Sequence, residues 1–355
     1  MTAPSLDLST DPARLTAALC DIESVSGNEA ALADAIEAAL RPASHLTVER
    51  DGDAVFARTT MGRSERVVVA GHIDTVPVAD NLPCRLEGGR LFGCGTTDMK
   101  SGVAVALRLA ATIAEPVRDV TWVFYDCEEV EAARNGLGRV ARSHPDWLAA
   151  DFAVLMEPTN ATVEGGCQGS LLAHVTVRGH RAHSARSWHG TNAIHAAGAI
   201  LDRLRAYQAA EVEVDGLTYR EGLNAVRISG GVAGNVIPDE CTVSVNYRFA
   251  PNKSEAEAHD VVRAVFDGFE VSLADSSPGA MPGLSHPAAA AFVAAIGKEP
   301  LPKFGWTDVA RFSALGVPAV NYGPGDPNVA HTREEYADVA LIVECEERMR
   351  AWLTG

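Results

Sequence analysis

Hydrophobic positions along this chain follow two periods, and the change from one to the other divides it into regions. Near the start, Leu15, Ala18, Leu19 and Ile22 recur at helical spacing behind the capping run Ser9-Thr10-Asp11-Pro12, and Leu32, Ile36, Ala39 and Leu40 repeat the signal. Short, continuously apolar runs follow at residues 67–70, 120–125 and 152–156, with a long apolar helix predicted from about 99 to 114. Continuous apolarity predicts strands covered on both faces, as in an α/β sheet flanked by helices.

Around residue 171 the texture changes. Residues 171–177 and 241–249 alternate strictly, with Cys241, Val243, Val245, Tyr247 and Phe249 on one face and Thr242, Ser244, Asn246 and Arg248 on the other. Such strands have one solvated face. Helical stretches at 192–207 and 254–269, the second opened by a capping box of Ser254 and Glu257, flank a strand-like 225–229. The order predicts a β-α-β-β-α-β two-layer domain inserted into the larger one. From about 281 the buried texture returns, with a strand at 317–322 and a closing helix at 339–353. The expected division is a main domain of 1–172 and 281–355 interrupted by an insert at 173–280. A length of 355 residues agrees with roughly two domains of about 150 residues.

Charge narrows the range of partners. Thirty Lys and Arg against 47 Asp and Glu give a formal −17, which disfavours nucleic acid and an anionic membrane surface as ligands. The start lacks the basic and apolar regions of a signal peptide, and there is no apolar run of about 18 residues, so the expected location is cytoplasmic. Seven scattered cysteines without a CxxC pair predict reduced, mostly buried thiols.

The informative polar residues stand at the ends of the predicted buried strands. His72 and Asp74 follow 67–70, Glu128 and Glu129 follow 120–125, and Glu157 follows 152–156; Asp98 stands just before the helix that follows Gly93-Cys-Gly-Thr-Thr. Ligands of α/β sheets gather beyond the carboxyl ends of strands, so these side chains should converge on one crevice. Carboxylates clustered in this way repel one another unless cations neutralise them. A histidine and carboxylate set without cysteine suits zinc held by nitrogen and oxygen, as in catalytic sites, and the surplus of carboxylates suggests a second metal. Any one of these residues alone reads as a solvated loop acid or a satisfied core histidine; five at consecutive strand ends do not.

Taken in order, Gly71-His72-Ile-Asp74-Thr-Val-Pro77, Gly95-Thr-Thr-Asp98-Met-Lys-Ser-Gly102, Glu128-Glu129, Met156-Glu157-Pro158-Thr159 and His331 resemble the dizinc amidohydrolases of the M20 peptidase family. The resemblance implies a mixed sheet flanked by helices with an inserted ferredoxin-like lid and dimerisation domain. It implies two Zn2+ per subunit, with Co2+ or Mn2+ as alternatives in one site. His72 and Glu157 would bind one ion, Glu129 and His331 the other, and Asp98 would bridge them. Asp74 would orient His72, and Glu128 would act as general acid/base on a metal-bridging hydroxide. A cis peptide after Asp98 is part of the same expectation. In the insert, Gly179-His-Arg-Ala-His183-Ser-Ala-Arg186 and Gly230-Gly-Val-Ala-Gly-Asn235 look like the segment through which a homodimer forms, His183 stabilising the oxyanion in trans while Asn235 and Arg248 hold substrate.

Further passages, among them Cys127-Glu-Glu-Val-Glu-Ala, Gly165-Gly-Cys-Gln-Gly169, Asp215-Gly-Leu-Thr-Tyr-Arg220 and Phe304-Gly-Trp-Thr-Asp308, are similar to the branch of the family that hydrolyses N-succinyl-LL-2,6-diaminopimelate in lysine and diaminopimelate biosynthesis. A substrate with three carboxylates calls for arginine forks. Other branches place a basic residue where this chain has Gln168-Gly169-Ser170, so Arg186, Arg248 and Arg311, with Thr307, Asn328 and Tyr322 as lining groups, are the candidates for holding it. The alternative is another amidohydrolase of the family: an acetylornithine deacetylase, an aminoacylase or a dipeptidase.

Overall fold

The computed structural model describes residues 5–355. Contacts divide the chain into two compact units: residues 1–165, 283–301 and 311–355 form the first, and 166–282 with 302–310 form the second. The insert therefore starts at Gly166 instead of residue 173, and the short stretch 302–310, expected in the main domain, belongs with it.

The first unit is built on an eight-stranded mixed sheet. Its centre is parallel: Asp119–Tyr125, Arg66–His72, Phe152–Leu155 and Ala319–Asn321 lie side by side in that order. All seven residues of Asp119–Tyr125 are buried, the covered state that continuous apolarity predicted. Two antiparallel strands at one edge, Thr47–Asp51 and Ala54–Arg58, were not anticipated; the outer one, TVERD, has no apolar run to announce it. Helices Pro12–Cys20, Ala30–Leu40, Ser101–Thr112 and Val339–Thr354 cover the sheet with Leu15, Leu19, Leu32, Ile36, Val103, Leu107, Ile342 and Met349. Each such side chain contributes about 1.5–3 kcal/mol on burial, so this core carries most of the unit's stability.

The helix expected from 99 begins at Ser101, because the preceding turn, Thr96–Lys100, is irregular: Asp98 (φ −120°, ψ 97°) and Met99 (φ −131°, ψ 32°) leave the helical region. The Asp98–Met99 peptide is cis, as expected. The helix starts against the end of the neighbouring strand so closely that a Cβ on Gly102 would lie 2.1 Å from the Met156 carbonyl oxygen, and only glycine fits there.

The second unit is a four-stranded antiparallel sheet in the order Gly222–Gly230, Glu240–Phe249, Gly169–Arg178, Glu270–Ser277, a ferredoxin-like arrangement. Helices Gly198–Ala206 and Glu255–Val265 cover one face, and the capping box of Ser254 and Glu257 opens the latter. Gly169–Arg178 alternates buried and half-buried along its length until exposed Arg178, matching the predicted one-sided strand. All seven cysteines are free, and all but Cys84 are buried. No helix among the described residues is long and apolar enough to cross a membrane.

Candidate metal centre

Three adjacent parallel strands deliver the site. His72 closes one, Asp126 to Glu129 follow its neighbour on one side, and Glu157 follows its neighbour on the other side two residues past Leu155. Parallel register fixes their relative height: His72 stands opposite Tyr125, and the Met156 amide donates to the Ala70 carbonyl at 2.8 Å. The convergence predicted from strand ends thus follows from the topology.

Asp74 organises the crevice from beneath. It is fully buried, and its two carboxylate oxygens accept the backbone amides of Glu128 (2.9 Å) and Glu129 (3.1 Å), while the Ser26 hydroxyl donates at 2.7 Å. Consecutive amides can reach one carboxylate because Cys127 turns the chain through the left-handed region at φ 56°. Buried Glu29 secures that turn, accepting the amides of Gly27 at 2.9 Å and Cys127 at 3.1 Å. The His72 ring meets the Asp74 carbonyl through Nδ1 at 3.1 Å and the Asp98 carboxylate through Nε2 at 3.2 Å. Burial would raise the Asp74 carboxyl, but its contacts with His72, Glu128 and Ser26 outweigh that and hold it below the usual range.

Two groups of donor atoms result. One ligand atom each from His72, Asp98 and Glu157 lies within 4.8 Å of the others, and the same is true of Asp98, Glu129 and His331. Asp98 belongs to both. A third set, His72, Glu128 and Glu129, brings Glu128 to the same place. His331 sits at φ 61°, unusual for a residue with a side chain, and points Nε2 at Glu129 Oε1 (2.8 Å) and Asp98 Oδ2 (3.4 Å).

The donor set fits a pair of divalent cations. All donors are nitrogen and oxygen, and the carboxylates outnumber the histidines. The carboxylates of Asp98 and Glu129 raise His331 to about 10, and Asp74 and Asp98 raise His72 well above its ordinary value although burial opposes this. In turn the Asp98 carboxyl, which burial would raise, is depressed by His331 and His72. These shifts mark a cluster in which positive charge is favoured, the role a metal ion would take.

The residues singled out in the insert lie in the second unit. Ala182–His183 and Val236–Ile237 form a two-stranded ribbon in which His183 stands opposite Val236 and the Ser184 amide donates to the Asn235 carbonyl at 2.9 Å. The ribbon thus brings His183 and Asn235 together, both exposed, with Arg186 and the 75%-exposed Trp188 in the turn that follows. Arg248 is half-buried on Glu240–Phe249 opposite Gly222 and Ser170; burial lowers its guanidinium, and among the described residues no ion pair engages it. Thr307 is buried, and its carbonyl accepts the Cys167 thiol at 3.7 Å.

Sequence reasoning missed Ser26, Glu29 and Glu335. Glu335 is 2% exposed and accepts the amides of Thr97 at 2.9 Å and Asp98 at 3.2 Å. Nothing in Thr332-Arg-Glu-Glu335 separates it from its exposed neighbour Glu334. Ser26-Gly-Asn-Glu29 reads only as the approach to a helix.

A mixed α/β sheet with paired nitrogen and oxygen donor groups sharing one aspartate at its strand ends defines a metal-dependent hydrolase of the dinuclear type. The chain belongs to the peptidase family M20/M25/M40, whose family model matches residues 68–354. It is 59% identical over 353 residues, covering 99% of this chain and 100% of the relative, to a Mycobacterium tuberculosis (strain ATCC 25618 / H37Rv) protein bearing the name DapE. It is 50% identical to the succinyl-diaminopimelate desuccinylase of Corynebacterium glutamicum over 362 residues, 99% of this chain and 98% of that one. Among solved structures, the fold is similar to the Bacillus subtilis YXEP protein, titled a dinuclear metal binding peptidase of the M20 family, with TM-score 0.70, 17% identity and 96% of each chain covered.

Proposed function

We propose that this hydrolase removes the succinyl group from N-succinyl-LL-2,6-diaminopimelate, releasing succinate and LL-2,6-diaminopimelate for diaminopimelate and lysine biosynthesis. The observation that carries this reading is the near-full-length likeness, at half of all positions, to an enzyme named for that reaction. A deacetylase, aminoacylase or dipeptidase would need the same metal residues but has no comparable support.

In this reading His72 and Glu157 would hold one zinc ion and Glu129 and His331 the other, with Asp98 available to both; Co2+ or Mn2+ would be the alternatives in one position. When bound, such ions would polarise the amide carbonyl and make a bound water more acidic. Glu128 takes the proton of the attacking water and returns it to the departing amine nitrogen, which needs a carboxylate near the water and free to change its protonation. Its amide is fixed by Asp74 while its side chain faces His72 and Glu129. Asp74 engages the Nδ1 of His72 and so leaves Nε2 facing the carboxylates, where it could ligate a cation. Arg248, half-buried and without an internal ion pair among the described residues, is suited to a substrate carboxylate. Arg186 is a second candidate for that role and Thr307 a lining group.

We further propose a cytoplasmic homodimer formed through the insert, in which the partner subunit's His183 donates to the developing oxyanion and the partner subunit's Asn235 helps hold substrate. Their exposure on one ribbon supports this reading. A comparison of rates on N-succinyl-LL-diaminopimelate, N-acetylornithine and dipeptides, with metal content measured on the same sample, tests the substrate. The desuccinylase reading expects the first to be hydrolysed fastest; faster turnover of either of the others would overturn it.

A further inference from the structure

The irregular turn 96–100 creates a problem that the chain solves from a distant segment. Amides at the start of a helix have no partner inside it and are ordinarily satisfied by a nearby Ser, Thr, Asp or Asn. Here neither Gly95, before the irregular turn, nor Lys100, before the helix, offers a side-chain cap, and the non-helical backbone at Asp98 and Met99 interrupts the usual ladder. Glu335 fills the gap. Its Oε1 accepts the amides of Thr97 at 2.9 Å and Asp98 at 3.2 Å.

The same segment is fastened to the turn by further bonds. The Gly93 amide donates to the Glu335 carbonyl at 3.0 Å, the Thr97 hydroxyl donates to the Tyr336 carbonyl, and Tyr336–Asp338 pairs with Arg90–Phe92. His331 stands four residues before Glu335. Two of the three members of one donor group, Asp98 and His331, are therefore tied together through Glu335, whereas His72 and Glu157 reach the other group from strand ends that do not depend on it.

We propose that Glu335 is a positioning residue: by accepting the Thr97 and Asp98 amides it holds the Asp98 backbone against the segment that carries His331, and so sets the affinity of the Asp98, Glu129 and His331 group for its metal ion. This rests on the dinuclear reading above. A residue that only stabilised the fold would leave the two metal affinities in their original ratio, whereas a positioning residue changes one of them selectively.

The test is calorimetric titration of chelator-treated full-length protein with ZnCl2, and with CoCl2 while the visible absorption of the bound ion is followed, for wild type, Glu335→Gln and Glu335→Ala. Glu335→Gln keeps the shape and one acceptor oxygen, so it carries the test if the alanine variant fails to fold. The expected result is two equivalents bound by wild type, and in Glu335→Gln a first equivalent of unchanged affinity with a second weakened about 10–100-fold. The absorption of the second cobalt ion should change, and kcat should fall with KM nearly constant. Wild-type affinities and an unchanged cobalt spectrum in Glu335→Gln would overturn the proposal, even if its melting temperature fell. Uptake of a single equivalent by wild type would overturn the dinuclear reading itself.

Discussion

The two units present their candidate residues in opposite ways. In the first, Asp74 is buried with both oxygens occupied by amides, His72 is 1% exposed and held through both nitrogens, and Asp98 takes its backbone support from Glu335. In the second, His183, Arg186 and Asn235 are exposed on a short ribbon and turn, and half-buried Arg248 has no ion-pair partner among the described residues. The first set is organised before any ligand arrives, as charge stabilisation requires of groups that must not reorganise during reaction. The second consists of groups whose hydrogen-bonding capacity is still available, which suits residues that acquire partners from substrate or a second subunit.

Replacing Glu128 should produce the largest effect. Glu128→Gln keeps the backbone bond to Asp74, so metal content should stay at the wild-type level while kcat falls by about 10³–10⁴-fold through loss of proton transfer. Steady-state rates beside metal analysis measure both quantities, and a near-normal rate would remove Glu128 from the mechanism.

His183→Ala asks whether the exposed set is functional at all. Loss of one oxyanion donor should lower kcat by about 10²–10³-fold without changing metal content. Mixing this variant with Glu128→Gln should restore part of the activity, since a mixed dimer pairs an intact Glu128 with an intact His183. A monomer with full activity by light scattering and assay would break the comparison, because His183 would then have no site to complete in trans. Arg248→Ala should act mainly on KM, by about 10–100-fold, the loss expected for a charged hydrogen bond worth about 1.5–3 kcal/mol. A kcat effect with KM unchanged would count against substrate binding there.

How much of this was readable in the sequence follows the same division. The parallel strands were visible because burial on both faces leaves continuous apolar runs, and His72, Asp74, Glu128, Glu129 and Glu157 stood out as polar residues following them. Alternation likewise exposed two strands of the insert and the polar face that carries Arg248, but not Glu270–Ser277 at the sheet's edge. Edge strands such as Thr47–Asp51 carry no such contrast. The supporting acids were invisible for a further reason: Glu29 and Glu335 act through backbone amides distant in the chain, and a side chain that accepts amides leaves no periodic signature. The 302–310 stretch joins the second unit by tertiary contacts that no local pattern announces.

The smallest expected effect separates wiring that serves catalysis from wiring that serves only the fold. Asp119, at the start of a central strand, resembles Asp74 in being buried and saturated: Oδ1 accepts the Thr59 hydroxyl and the Met61 amide, each at 2.8 Å, and Oδ2 accepts the Arg63 amide at 2.9 Å. Burial would raise its carboxyl, but these bonds and the nearby Arg66 hold it below the usual range. A carboxyl depressed by folding adds stability wherever it is ionised in the unfolded chain, above about pH 4, and that contribution disappears as pH falls through the lower folded value. Asp119→Asn retains one acceptor oxygen but turns an NH2 group toward a donor, so at pH 7 it should cost about 1–3 kcal/mol in urea unfolding, with kcat unchanged. As pH falls through that lower folded value the difference from wild type should shrink, because the wild-type carboxyl becomes neutral too. A constant difference across that range would mean that Asp119 contributes through its shape rather than its charge, and an accompanying fall in kcat would mean that the rigid unit transmits strain from its far edge to the metal centre.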